Sequence, residues 1–272
     1  MSVFAQLARL TAHRRLIGQL ARRDVEGRYR GSSLGLLWSF VTPLVMLSVY
    51  TFVFGVIFTG ARWSQAPTAA PRHLGDFALV LFCGLLLLNL VSECLGRASG
   101  LVVGAPNYVK KVVFPLEVLP LVVLMSALFH AGISLLVVVV ANAVLRSSLQ
   151  WTLVLAPAVV LPVVSLTLGL SWLLASLGVF ARDVGHAVGV ALQMLMFLTP
   201  VFYPLDAIPE PVRSLMLWNP LTSAVENLRR VVLWGLQPDW AAWAVSLAVG
   251  CAVMIAGLWW FTVTRPAFAD VV

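Results

Sequence analysis

Residues 28–43, R-Y-R-G-S-S-L-G-L-L-W-S-F-V-T-P, carry a strongly basic segment without a break into a long apolar run. Arg22, Arg23, Arg28 and Arg30 crowd the water side of this junction, and no acid or base follows until Arg62. Lys and Arg flanking a membrane span are retained on the cytoplasmic side. The junction therefore predicts a span whose amino-terminal flank is cytoplasmic. Composition agrees: of 272 residues, 61% are hydrophobic and only 11% charged, and mean hydropathy is +0.97. Soluble domains carry about 25% charged residues, so this chain cannot cover its apolar groups as one water-facing globule. Its apolar runs of about 20 residues or more are each long enough for a helix to cross ~30 Å of hydrocarbon. The short alternating segments of a membrane barrel are absent. The predicted fold class is all-α, a polytopic membrane protein.

A net charge of +7 and a pI near 10 do not point to nucleic acid, because the basic residues flank apolar runs. There they act as topology signals and contacts for anionic lipid. Cys83, Cys94 and Cys251 lie in or at the ends of apolar runs, which suits small buried hydrophobes better than a disulfide framework. The first apolar run begins at residue 34 and is too long for the core of a cleavable signal.

Six spans are predicted, at 34–59, 76–95, 115–141, 152–180, 185–203 and 241–264. Pro43, inside the first, cannot donate to the Ser39 carbonyl and is expected to bend that helix. With the amino end inside, twelve of the 18 Lys and Arg fall on inner segments, which places both termini in the cytoplasm.

Three segments outside the spans carry structure of their own. Residues 3–21 set Val3, Leu7, Leu10, Ile17 and Leu20 near one helical face, the pattern of an interfacial amphipathic helix, interrupted by Arg14. Residues 96–114 form a basic, Gly-containing connection ending at Lys110, Lys111 and Phe114-Pro115. Residues 200–240 are too apolar for an ordinary outer loop and are broken by Pro200, Pro204, Pro209, Pro211 and Pro220. Two readings are open for this last segment: a pair of re-entrant helices covered by protein, or a pair lying flat on the outer surface.

The chemistry is sparse. The only lysines are Lys110 and Lys111, neither in a G-x-x-x-x-G-K-[ST] loop, so the chain has no P-loop for nucleotide. Any ATP hydrolysis would belong to another chain. His13, His73, His130 and His186 are scattered and form no metal-ligand spacing. Asp24 and Glu26 read as charge balance on a helix surface. His130, near the middle of the third span, is open to two readings: a functional ionisable group or a neutral imidazole bonded to a neighbouring helix. Asn89 and Gln193 divide in the same way between interhelical bonding and pore lining. Arg182-Asp183 would pair locally or face a cytoplasmic partner. Most of the 10 Trp and 14 Phe serve as interfacial anchors or packing. Trp38, Tyr50 and Phe54 on the first span, with Phe197, Phe202 and Tyr203 on the fifth, are candidates for a lining on which sugar C–H faces stack.

Several stretches together resemble a known family. L-I-G-Q-L-A-R-R-D-V-E-G-R-Y-R-G-S-S-L-G-L-L-W-S-F-V-T-P-L at 16–44 is similar to the amino-terminal region of type-2 ABC exporter permeases for bacterial surface polysaccharides: O-antigen, capsule, teichoic acid and related polymers. Further matches follow in order: Y-V-K-K-V-V-F-P-L-E-V-L-P at 108–120, F-A-R-D-V at 180–184, L-Q-M-L-M-F-L-T-P-V-F-Y-P-L-D-A-I-P at 192–209 and L-W-N-P-L-T at 217–222.

The resemblance implies one transmembrane permease domain over 1–272. Its parts are an interfacial helix (1–33), spans one to five (34–199), an outer re-entrant segment (200–240), and span six with a cytoplasmic tail (241–272). It also implies a homodimer in the bacterial inner membrane, with the path for a lipid-linked polysaccharide at its interface. Two copies of a separate ABC ATPase, holding the ATP and magnesium, would dock below, leaving this chain without a cofactor. Arg28, Tyr29, Arg30, Asn107, Lys110, Lys111, Arg182 and Asp183 become candidates for substrate entry or ATPase coupling. For Arg28, Arg30, Lys110 and Lys111 two roles stand side by side: receiving a lipid-carrier phosphate, or setting topology alone. A drug or lipid exporter of the same superfamily is the nearer rival. A membrane glycosyl- or phospho-transferase would need clustered carboxylates or a loop D-x-D, which the chain lacks.

Overall fold

A computed structural model describes residues 12–53, 75–109, 114–146, 149–203, 205 and 208–271. Every regular element among them is helical. In chain order, α1 is Arg14–Tyr29 and α2 is Trp38–Phe52, entered through a 3-10 turn at Gly35–Leu37. Then come α3 (Gly75–Ala98), α4 (Val118–Arg146), α5 (Ala156–Phe180), α6 (Val184–Leu198), α7 (Glu210–Leu217), α8 (Pro220–Arg229) and α9 (Trp240–Thr264).

Five helices are long and apolar enough to cross a membrane: Gly35–Phe52, Asp76–Ala98, Val118–Leu145, Trp151–Phe180 and Trp240–Ala267. They match five of the six expected spans to within a turn or so, although residues 54–59 of the first lie outside the described residues. The fifth expected span, 185–203, differs. α6 stops at Leu198, and its 15 residues reach only ~22 Å at 1.5 Å per residue. Pro200 explains the stop. It disfavours helical geometry at the residue before it, and Thr199 is extended at φ −112°, ψ 137°.

The amphipathic helix expected over 3–21 also differs in extent. Residues 1–11 lie outside the described residues, and α1 runs on through the basic stretch to Tyr29. Ala21 and Val25, one turn apart, are buried, with Ile17 and Leu20 against the core. The opposite face carries Arg22 and Glu26, paired at 2.7 Å across one turn. The helix ends where Gly31 takes φ +87°, a left-handed conformation that a side chain would resist.

α3 forms the axis of the bundle, with 83% of its apolar window buried and contacts to α2, α4, α5, α6 and α8. α5 and α9 pack closely through small residues. A Cβ on Gly257 would collide with the Gly169 carbonyl, and one on Gly250 would stand 2.6 Å from Ser165 Oγ. Such small-residue seams let membrane helices approach to backbone contact. Trp243 Nε1 donates to the Ala158 carbonyl at 2.9 Å, and the Ser176 and Thr264 hydroxyls meet at 2.7 Å.

Within 200–240 the chain forms the helical hairpin α7–α8. Asn219 caps α8, its side chain accepting from Leu221 N at 3.0 Å, and Pro220 starts the helix. α8 turns inward against α3, α5 and α9, burying Leu221, Val225 and Leu228. Val231, Val232 and Leu233 in the following turn are buried as well.

Candidate functional site

One arginine of the basic junction, Arg28, is tied into the bundle by an ion pair, while Arg22, Arg23 and Arg30 stay exposed. On α1, Asp24 and Arg28 lie one turn apart, and on α3 so do Glu93 and Arg97. The two sets meet in opposite sense. Arg97 donates twice to the Asp24 carboxylate, at 2.9 and 2.6 Å, and Arg28 donates to Glu93. Although part-burial acts the other way, the bonds from Arg97, with the charges of Arg97 and Arg28, hold the Asp24 carboxyl below its ordinary range. A third pair closes the same end of the molecule. Arg265 donates to Glu117 at 2.6 Å and to the Phe114 carbonyl at 3.3 Å, while Trp172 Nε1 donates to the Glu117 carbonyl at 3.0 Å.

His130 of α4 completes the Arg28–Glu93 group. Its Nδ1 lies 3.3 Å from Glu93 Oε2 and its Nε2 3.1 Å from Tyr29 Oη. Arg28 Nη1 lies equally close to Nδ1, at 3.3 Å, so a donor and an acceptor face the same ring nitrogen, and the role of Nε2 toward the phenol follows from which of the two Nδ1 answers. Burial above all raises the Tyr29 phenol beyond its ordinary value, with Arg28 opposing and Glu93 adding, so Tyr29 keeps its proton.

This polar group forms one end of a cleft of about 240 Å³ between α2, α3 and α4. Trp38, Thr42, Met46 and Tyr50, each one turn from the next on α2, line one wall. Asn89 and Phe82 of α3 and Ser134 of α4 line the others. Tyr50 and Phe82 meet at a centroid distance of 6.5 Å.

The sequence-predicted residues thus divide. Trp38 and Tyr50 share the cleft with Arg28 and Tyr29. Arg30 caps α1 and is exposed, apart from that group. Phe197, Phe202 and Tyr203 gather at the end of α6: the two Phe rings lie 6.4 Å apart and Tyr203 donates to the Phe197 carbonyl. Arg182 borders a groove with Ser99, Val103 and Pro106 of the 96–114 connection, and Asp183 starts α6 beside it. Asn107 lies in a single helical turn, Pro106–Val109. Phe54, Lys110 and Lys111 lie outside the described residues.

Sequence reasoning missed Glu93, although it is the single acid or base between residues 77 and 95. An ionisable side chain in such a run needs a partner, and that was the available signal. It also missed Arg229. Its side chain is wholly buried and donates to the Val80 and Val201 carbonyls at 3.1 Å each and to Glu226 at 2.6 Å. Nothing in the local sequence separates Arg229 from Arg230. Among the described residues, no group of three His, Cys, Asp or Glu could hold a metal.

The chain matches the family of the ABC-2 type transporter over residues 15–233. It is 32% identical over 263 residues to an O-antigen export system permease protein, RfbA, of Myxococcus xanthus, covering 96% of each chain. A protein of the same description from Klebsiella pneumoniae is 26% identical, covering 94% of each. The polysialic acid transport protein KpsM of Escherichia coli is 24% identical, covering 83% of this chain and 82% of its own.

Proposed function

Because this chain belongs to the ABC-2 type transporter family, we propose that it is the membrane-spanning subunit of an ATP-driven exporter of a lipid-linked bacterial surface polysaccharide. One observation carries the reading: similarity to an O-antigen export permease runs along 96% of both chains, so it covers the whole permease architecture rather than a local motif. The chain has no P-loop, and ATP and magnesium belong to a partner ATPase.

In this reading the permease is a single domain over 1–272, sits in the inner membrane, and works as a homodimer on two ATPase copies. Both termini are cytoplasmic. α6 and the residues after it complete a sixth crossing, and α7–α8 is a re-entrant pair near the outer exit. The inward packing of α8 and the ion-paired basic end support that orientation. ATP-driven closure of the ATPases presses on the 96–114 connection and the groove beside Arg182, and α1 transmits the movement through its two ion pairs to α3. Arg28 is paired with Glu93 here while Arg30 is exposed, which leaves Arg30 as the better placed of the two to meet a lipid-carrier phosphate. Phe197, Phe202 and Tyr203 stand along the polymer path, and the cleft holding Trp38 and Tyr50 opens onto it.

Deletion of this chain in its host, with analysis of the surface glycan, tests the reading. The expected result is loss of one surface polymer, its accumulation inside the cell, and co-purification of the tagged permease with a P-loop ATPase. An unchanged surface glycan would refute it.

A further inference from the structure

We propose that the cleft between α2, α3 and α4 is a binding site for a single uncharged sugar ring. It rests on the export reading only for the sugar's source; the chemistry below stands without it. Asn89 lies one turn from Glu93, Ser134 one turn from His130, and Thr42 one turn from Trp38. All three line the cleft, and among the described residues none of the three has a side-chain hydrogen bond. Asn89 is nine positions from the end of α3 at Ala98, which sets it ~13 Å inside the helix at 1.5 Å per residue. Polar groups at that depth face a cavity only where water or a ligand meets them.

Charge selects among ligands. Arg28 is offset by Glu93, so a phosphate entering the cleft would meet a carboxylate beside the guanidinium. A hydroxyl group, both donor and acceptor, matches the amide, carboxylate, guanidinium and phenol together. Trp38 stands at the wall, and the Tyr50–Phe82 pair closes the apolar side, giving the C–H faces of a pyranose an aromatic surface. Size narrows the ligand further. About 240 Å³ falls below the roughly 300–1,000 Å³ of pockets for drug-sized ligands, which suits one ring and not a strand of several.

The test uses the full-length chain in lipid nanodiscs and three octyl amphiphiles bearing the same diazirine: octyl glucoside, octyl tetraoxyethylene ether and octyl phosphate. Each is kept below its micelle concentration, and the cross-linked peptides are mapped by mass spectrometry. The glucoside should label the α2, α3 and α4 segments around the cleft in preference to the other two. Asn89→Leu and Ser134→Ala leave the ion pairs intact and should each weaken that labelling about fivefold, the loss of roughly one net hydrogen bond. Competition by methyl glucoside would mean the ring suffices, whereas competition by octyl glucoside alone would mean the sugar arrives on a lipid. Equal labelling by all three amphiphiles, preference for octyl phosphate, or labelling indifferent to both substitutions would overturn the site. The readout involves neither ATP nor export, so failure of the export reading would show separately, in the surface glycan.

Discussion

Arginine serves both ends of α3, in opposite settings. At one end Arg229 is sealed: its side chain has no exposure, and two backbone carbonyls from different segments fix it along with Glu226. At the other end Arg28 keeps 36% of its side-chain surface exposed, shares one carboxylate, and borders a cleft. Both pair with a glutamate, yet only the first is also fixed by backbone carbonyls of two other segments. The difference separates an arginine that pins α8 to the core from one that can re-pair as α1 moves.

Substitutions should break that comparison unequally. Arg229→Met should cost most, about 3–5 kcal/mol, because it leaves the Glu226 carboxylate without its partner and removes the buried donor shared by the Val80 and Val201 carbonyls. The check is detergent-solubilised thermal stability, where a large drop in melting temperature and in inserted yield is expected. Arg28→Met should lower stability by only about 1 kcal/mol, because the guanidinium is part-exposed and Glu93 keeps His130 at 3.3 Å, while reducing ATP-dependent transport by correctly inserted protein. Equal stability losses for the two variants would erase the distinction.

The neighbouring pair sharpens it. Asp24→Arg and Arg97→Asp alone should each loosen α1, and the double exchange should restore stability, since it places two arginines on α1 opposite two acids on α3. A double variant as weak as either single one would mean that the ion pairs do not set the register of α1. The smallest effect is with pH. Because the folded-state pKa of Asp24 lies below its ordinary value of 3.8, its contribution is complete above that value and is lost as pH falls through the folded pKa. The melting-temperature gap between wild type and Asp24→Asn should therefore hold steady from neutral pH down to about the ordinary Asp value and close below it.

How far the sequence reveals this molecule follows the same division. Apolar runs mark spans by composition, and five of the six stand where expected. Composition does not say which span is buried. α2 and α3 read alike in sequence, yet 11% of one window and 83% of the other are buried, because the difference depends on neighbours far along the chain. The early end of α6 was legible in Pro200, whose effect on the preceding residue is local. Arg28–Glu93 was not: the partners are 65 residues apart, and the basic cluster reads fully as a topology signal without an acid partner. Counting Lys and Arg still serves orientation, since acids contribute little to that rule. The cleft stayed hidden as a unit because its walls come from three helices: Trp38, Tyr50, Asn89 and His130 each stand out in the sequence, but nothing local brings them together.

The most direct measurement is transport in proteoliposomes holding this permease, its partner ATPase and a lipid-linked glycan drawn from the host. ATP should drive the glycan to the far leaflet, where an added glycosidase can cut it, and omission of ATP or of the ATPase should abolish the movement. No ATP-dependent movement of glycan, or ATP-driven movement of a phospholipid or drug in its place, would contradict the account.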